Sequence, residues 1–218
     1  MHLSKNSKLW LGAVVFLVVN WGIYSFLPES GSSKISFHLA SAVSVLLLLV
    51  LLWIAQKKNF DPVKCFVPVA LVTGLLYMTS VPAFRGADEE LHFYRAYEIS
   101  CGHLASDCRD GAGGRELPVS LWDAKPDNFK NFDFEQMGEK LKISLKPEEK
   151  EFIVFNTSAL YSPVQYLPQA SGILIGRLFH LPPVALVYCG RAGNLLFWIL
   201  VCWLALRISK GSSLIYLI

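Results

Sequence analysis

The sequence predicts an all-α polytopic membrane protein. It would have four transmembrane helices, five if one ambiguous segment also crosses, with a large, mostly helical or irregular extracytoplasmic loop and an interfacial helix. Three observations carry this expectation. Of 218 residues, 53% are hydrophobic and only 17% charged, and the mean hydropathy is +0.42, too apolar for an ordinary soluble domain. Apolar runs reach the roughly 20 residues that a helix needs to cross about 30 Å of hydrocarbon. The charges are also segregated: 15 of the 17 acidic residues, but only 10 of the 20 basic ones, lie between Phe84 and Ser162. The same composition excludes a disordered chain and a disulfide-dense secreted scaffold. No basic, aromatic-interleaved patch exists, which argues against nucleic acid as a partner.

Four runs qualify as spans: Leu9 to Leu27, about Leu39 to Ala55, about Phe66 to Phe84, and Val184 to Leu206. The first follows Lys5 and Lys8 as a signal peptide would, but it is long for such a segment and no small-x-small cleavage site follows, so it reads as an uncleaved span. Positive residues in short loops stay cytoplasmic. Lys5 and Lys8 therefore place the N-terminus inside, as do Lys57, Lys58 and Lys64 for the second connection, and Arg207 and Lys210 for the end of the last span. The acidic stretch 84–162 is then extracytoplasmic.

The segment Pro163 to Leu181 is as long as a span, yet Pro163, Pro168, Gln165, Gln169, Arg177 and His180 suit lipid poorly. It reads as an interfacial or bundle-packed helix with apolar face Ile173, Leu174 and Leu178, and alternatively as a fifth crossing. The expected organisation is 1–83 with three spans, 84–162 as outer loop, 163–183 as interfacial or re-entrant helix, and 184–218 as return span plus the start of a further helix. The apolar Leu214 to Ile218 breaks off after a few residues, as in the N-terminal portion of a longer polytopic protein. Within the outer loop, Gly111, Gly113 and Gly114 read as loop, Phe134 to Leu145 as a short helix, and Lys146 onward as another helix start.

Outside the third span the chain reads Arg85-Gly-Ala-Asp88-Glu89-Glu90-Leu-His92-Phe-Tyr-Arg95. Asp88 stands where a helix N-cap is expected, and a helix over Asp88 to Ile99 puts Asp88, Glu89 and His92 on one side, with Arg95 a turn further along. Paired carboxylates beside an imidazole suit either a divalent cation such as Mg or Mn, held by Asp88, Glu89 and His92, or removal of a proton from an incoming hydroxyl. Acidic residues in a first helical turn are also favoured by the helix dipole alone. Arg191 lies about two turns into the last span, where a charge must snorkel or pair; it can hold a phosphate or pair with Asp88 or Glu89. Tyr161, Tyr166 and Gln169 offer the aromatic and amide groups that line a sugar or lipid groove, although interfacial aromatics also serve as anchors. Gly172-x-x-x-Gly176 permits close helix packing. Cys101 and Cys108, seven apart in the outer loop, are candidates for a disulfide in an oxidising compartment.

Asp88-Glu89-Glu-Leu-His92 with Arg95-Ala, then Tyr161-Ser-Pro-Val-Gln-Tyr166-Leu-Pro168-Gln169-Ala, then Tyr188-Cys-Gly-Arg191-Ala-Gly-Asn194, together resemble the bacterial domain-of-unknown-function 2142 family over about Ala70 to Leu206. Those polytopic proteins are similar in architecture to the glycosyltransferase C superfamily, of which this chain would be an N-terminal part. The resemblance implies an enzyme of the bacterial cytoplasmic (inner) membrane that moves a sugar from a polyprenyl-phosphate donor to a cell-envelope acceptor. Asp88 would be its base or metal ligand with Glu89 beside it, and His92, Arg95, Tyr161, Tyr166, Gln169 and Arg191 its substrate contacts. A transporter or lipid-handling protein, or a non-catalytic membrane fragment, stand as the alternatives.

Overall fold

The computed structural model describes residues 14, 18, 19, 31–58, 62–129 and 132–208. The chain forms two compact units, Met1–Ser80 with Trp198–Ile218, and Val81–Phe197. In the first, α1 (Gly31–Lys58) and α2 (Pro62–Ser80) pack together. The Phe37 and Tyr77 rings lie 5.5 Å apart and the Tyr77 hydroxyl donates to Ser41 Oγ at 3.2 Å. In α2 the hydroxyls of Thr73 and Thr79 donate to the carbonyls of Val69 and Leu75, so these polar groups are satisfied within an apolar helix.

The expectation of four or five crossings is corrected. Among the described residues one helix is long and apolar enough to cross a bilayer, α8 (Pro183–Ile208), which contains the expected run Val184 to Leu206. Among the described residues of α1 and α2, the apolar helical stretches are Lys34–Leu47 and Phe66–Ser80. The run Leu9 to Leu27 lies outside the described residues apart from helical positions 14, 18 and 19. The proposed fifth crossing is broken into a 3-10 turn, Pro163–Tyr166, and a helix of only 12 residues.

The second unit runs α3 (Glu89–Ser100), β1 (Asp107–Arg109), β2 (Ala112–Pro118), α4 (Val119–Asp123), α5 (Phe134–Lys140), β3 (Lys150–Val154), α6 (Asn156–Ala159), the 3-10 turn, α7 (Leu167–Leu178) and the start of α8. Its antiparallel sheet of order β1-β2-β3 overturns the all-α expectation. Arg109 pairs with Ala112 across Asp110-Gly111, and both turn residues have positive φ, 50° and 79°. That is the two-residue hairpin turn whose twist suits right-twisted strands, and Asp-Gly is its preferred sequence. Gly114 is needed for a different reason: a Cβ there would stand 2.2 Å from the Ile153 carbonyl oxygen on β3. The stretch after Lys146, expected to be helical, instead turns at 147–148 and enters β3.

α3 forms the centre of this unit, buried continuously from Phe93 to Ser100. Its side chains share a core with Leu117 from β2, Leu121 from α4, Ile153 from β3, Phe155 just after it, and Ile173 from α7. α7 meets α8 at backbone distance: a Cβ on Gly172 would lie 2.0 Å from Cys189 O, and one on Gly193 would lie 2.2 Å from Pro168 O. α7 ends at His180, which adopts the left-handed conformation (φ 53°) while the Leu181 amide returns to the Gly176 carbonyl. Of the expected apolar face, Ile173 is fully buried, whereas Leu174 and Leu178 are exposed.

Candidate functional site

Asp88 stands at the N-cap of α3 as its spacing suggests, but with left-handed backbone (φ 53°) and no capping bond from its side chain. For a residue with a Cβ that conformation costs on the order of 1 kcal/mol, less for Asp than for most residues. Asp88 is exposed, and its carbonyl accepts from the His92 amide at 3.1 Å, which sets His92 one turn below it.

Glu89 turns the other way. Its two carboxylate oxygens accept from Arg191 Nε at 2.6 Å and Nη2 at 2.8 Å, and Oε2 also accepts from the Gly86 amide. The remaining Arg191 donors go to the carbonyls of Val81 (2.6 Å) and Pro82 (2.9 Å), and its guanidinium lies over the Tyr188 ring. The side chains are 15% and 17% exposed, so both charges are largely removed from water and rely on this bidentate geometry. Of the uses the sequence allows Arg191, the structure has it paired with Glu89.

His92 faces an open cleft of about 370 Å³ lined by His92, Tyr161, Gln165, Tyr166 and Gln169. Its Nδ1 is 2.7 Å from the Tyr166 hydroxyl, and its ring lies parallel to that of Tyr161 (interplanar angle 10°). Burial pushes the Tyr166 phenol above its ordinary range. Gln169 is wedged against α8 where Gly190 leaves room; a Cβ on Gly190 would meet its Cγ at 2.9 Å.

Arg95 does not join the cleft. It is 2% exposed and donates to Glu98 (2.6 Å), to Ser106 Oγ and to the carbonyls of Leu104 and Tyr161, while Arg115 Nε reaches the other Glu98 oxygen at 2.5 Å. This Arg95–Glu98–Arg115 group pins the 104–107 segment and the Tyr161 backbone. Arg95 thus shapes one wall of the cleft from behind.

Of the residues expected to hold a divalent cation, Glu89 is paired with Arg191, His92 Nδ1 lies beside the Tyr166 hydroxyl, and Asp88 is exposed. Among the described residues no group of three or more His, Cys, Asp or Glu is placed to hold a metal ion. Cys101 and Cys108 are exposed free thiols, so the expected disulfide is not formed here.

Sequence reasoning missed several groups. Gln165 lines the cleft and lies four residues before Gln169 within the same motif. Glu98 is three residues after Arg95, a spacing that signals a helical ion pair, but its second partner, Arg115, comes from a strand the sequence reading did not anticipate. Glu90 Oε2 and Tyr94 OH, four apart on α3, are both buried without a hydrogen-bond partner. Burial raises the Glu90 carboxyl above its usual range, against the pull of Lys125 and with the help of Asp88, and raises the Tyr94 phenol strongly.

Against known proteins, a family model described as predicted membrane protein (DUF2142) matches residues 71–215. No curated protein and no solved structure matches the chain.

Proposed function

The chain belongs to the DUF2142 family of predicted membrane proteins, and from that premise we propose that it binds a polyprenyl-phosphate-linked sugar and transfers the sugar to a cell-envelope acceptor. The observation that carries this reading is the cleft: two tyrosines, two glutamines and an imidazole around about 370 Å³. Aromatic faces suit the C–H surface of a sugar ring, and amides and N–H groups suit its hydroxyls or a phosphate oxygen. Asp88 supports it from one helical turn away, as a carboxylate left free of the Glu89–Arg191 pair. In the transfer, the acceptor hydroxyl oxygen bonds to the anomeric carbon as the bond from that carbon to the phosphate oxygen breaks. Polyprenyl phosphate leaves with the electron pair, and the hydroxyl proton passes to Asp88. Glu89 and Arg191 position the turn that carries Asp88 and contact no substrate. In this reading α8 crosses the bacterial cytoplasmic membrane with Arg207 inside and residues 84–162 outside, following the positive-inside rule.

Asp88→Asn tests the reading with little risk to the fold, since Asn tolerates left-handed backbone as well as Asp does. Surface glycan in cells that depend on this protein should fall by about 10²-fold or more, with the amount of protein in the membrane unchanged. Glycan at the normal level would remove the catalytic assignment.

A further inference from the structure

α7 presents two unlike faces. Ala170, Ile173 and Gly176 are buried against α3 and α8, whereas Leu167, Leu174, Ile175 and Leu178 are exposed, Leu178 at 71%. At 100° per residue these four fall within a single arc of about 100°. Val164 extends the arc before the helix and Phe179, 73% exposed, extends it after.

Three details separate this face from an ordinary solvated surface. Ser171 is the only polar residue on the arc, and its hydroxyl donates to Pro168 O at 2.7 Å, so it asks nothing of water. Arg177 turns inward, bonding Ser100 O at 2.7 Å and lying over the Tyr97 ring, so the arc carries no charge. Four residues after α7 ends, the chain enters α8, the helix long and apolar enough to cross a bilayer.

We propose that the outer arc of α7, with Val164 and Phe179, faces the lipid of the same bilayer that α8 crosses. α7 runs antiparallel beside the first turns of α8, Gly172 against Cys189 and Pro168 against Gly193, so it shares their depth, and a helix there turns an apolar face to lipid with its backbone bonds satisfied within itself. Continuity with α8 selects lipid as the occupant, because the 179–182 connection is too short to take the end of α7 far from the start of the span. The proposal stands apart from sugar transfer and holds or fails without it.

The experiment uses the full chain, with Cys101 and Cys108 replaced by Ser, in vesicles of phosphatidylethanolamine and phosphatidylglycerol. Nitroxide labels are attached to single variants Leu174→Cys, Leu178→Cys and Phe179→Cys, and to Glu151→Cys on β3 as an aqueous reference. All four sites are exposed, so labelling sacrifices little packing. Collision with oxygen, which partitions into lipid, should exceed collision with a nickel chelate several-fold at the α7 sites and fall below it at 151. Nickel-dominated collision at 174 and 178 would show a solvated face and overturn the proposal. Protection from both reagents, with labels on two copies in close approach, would assign the face to a second copy of the chain and overturn it equally.

Discussion

Glu89 and Glu90 are adjacent in sequence and held in opposite ways. The Glu89 carboxylate has a bidentate guanidinium partner, whereas one oxygen of Glu90 is buried with none. Desolvation is the largest influence on Glu90 and raises its pKa from 4.5, Asp88 adds to the rise, and Lys125 opposes it. A carboxyl whose folded pKa is raised binds its proton more tightly in the folded state, so stability is lost as pH rises through that raised value. Glu90→Gln should therefore stabilise the protein at neutral pH, and the gain should shrink as pH falls towards 4.5. Thermal unfolding in detergent across that window checks this; an advantage independent of pH would point to packing instead. The sequence spacing set Glu89 apart from Glu90 and offered Arg191 to Asp88 or Glu89, but the burial of Glu90 Oε2 without a partner could not be read from it. The motif Asp88 to His92 was legible, but its division of labour was not.

At the scale of elements, small residues decide where helices meet. Gly172 of α7 and Gly193 of α8 allow the two backbones to touch, and a side chain at either place would press into a carbonyl. Gly172→Ala should force the helices apart and cost about 3 kcal/mol or more, the upper end of overpacking effects. Gly138→Ala in α5, where nothing lies within 4 Å of the new Cβ, should gain about 0.5–1 kcal/mol. Unfolding midpoints of the two variants measured side by side check both signs. The Gly172-x-x-x-Gly176 spacing announced close packing before any coordinates, because that inference needs only one helix face. The sheet went unread for a different reason. Asp110-Gly111 is a strong hairpin signal, but the flanking strands are short and glycine-rich, with no alternating apolar pattern to mark them. β3 sits behind a Pro-Glu-Glu sequence that imitates a helix start.

For the whole molecule, hydropathy identified a membrane protein and the run that becomes α8, and of the runs it marked that one is, among the described residues, a helix long and apolar enough to cross. The cleft was legible only in parts: Tyr161, Tyr166 and Gln169 were marked by their chemistry, but their meeting with His92, which is 74 residues from Tyr166, is a property of the folded chain. Sidedness remains a property of the molecule in its membrane. Intact cells treated with an impermeant reductant and then an impermeant maleimide should be labelled at Cys101 and Cys108, with the signal abolished in the double serine variant. Labelling only after permeabilisation would place residues 84–162 inside. The pairing of Glu89 with Arg191 has a consequence for how the protein is made. The partners are separated by 102 positions, and a ribosome adding about 5–20 residues per second takes about 5–20 s to cover that distance. Throughout that interval the nascent acidic turn lacks this counter-ion, so its docking must await emergence of α8.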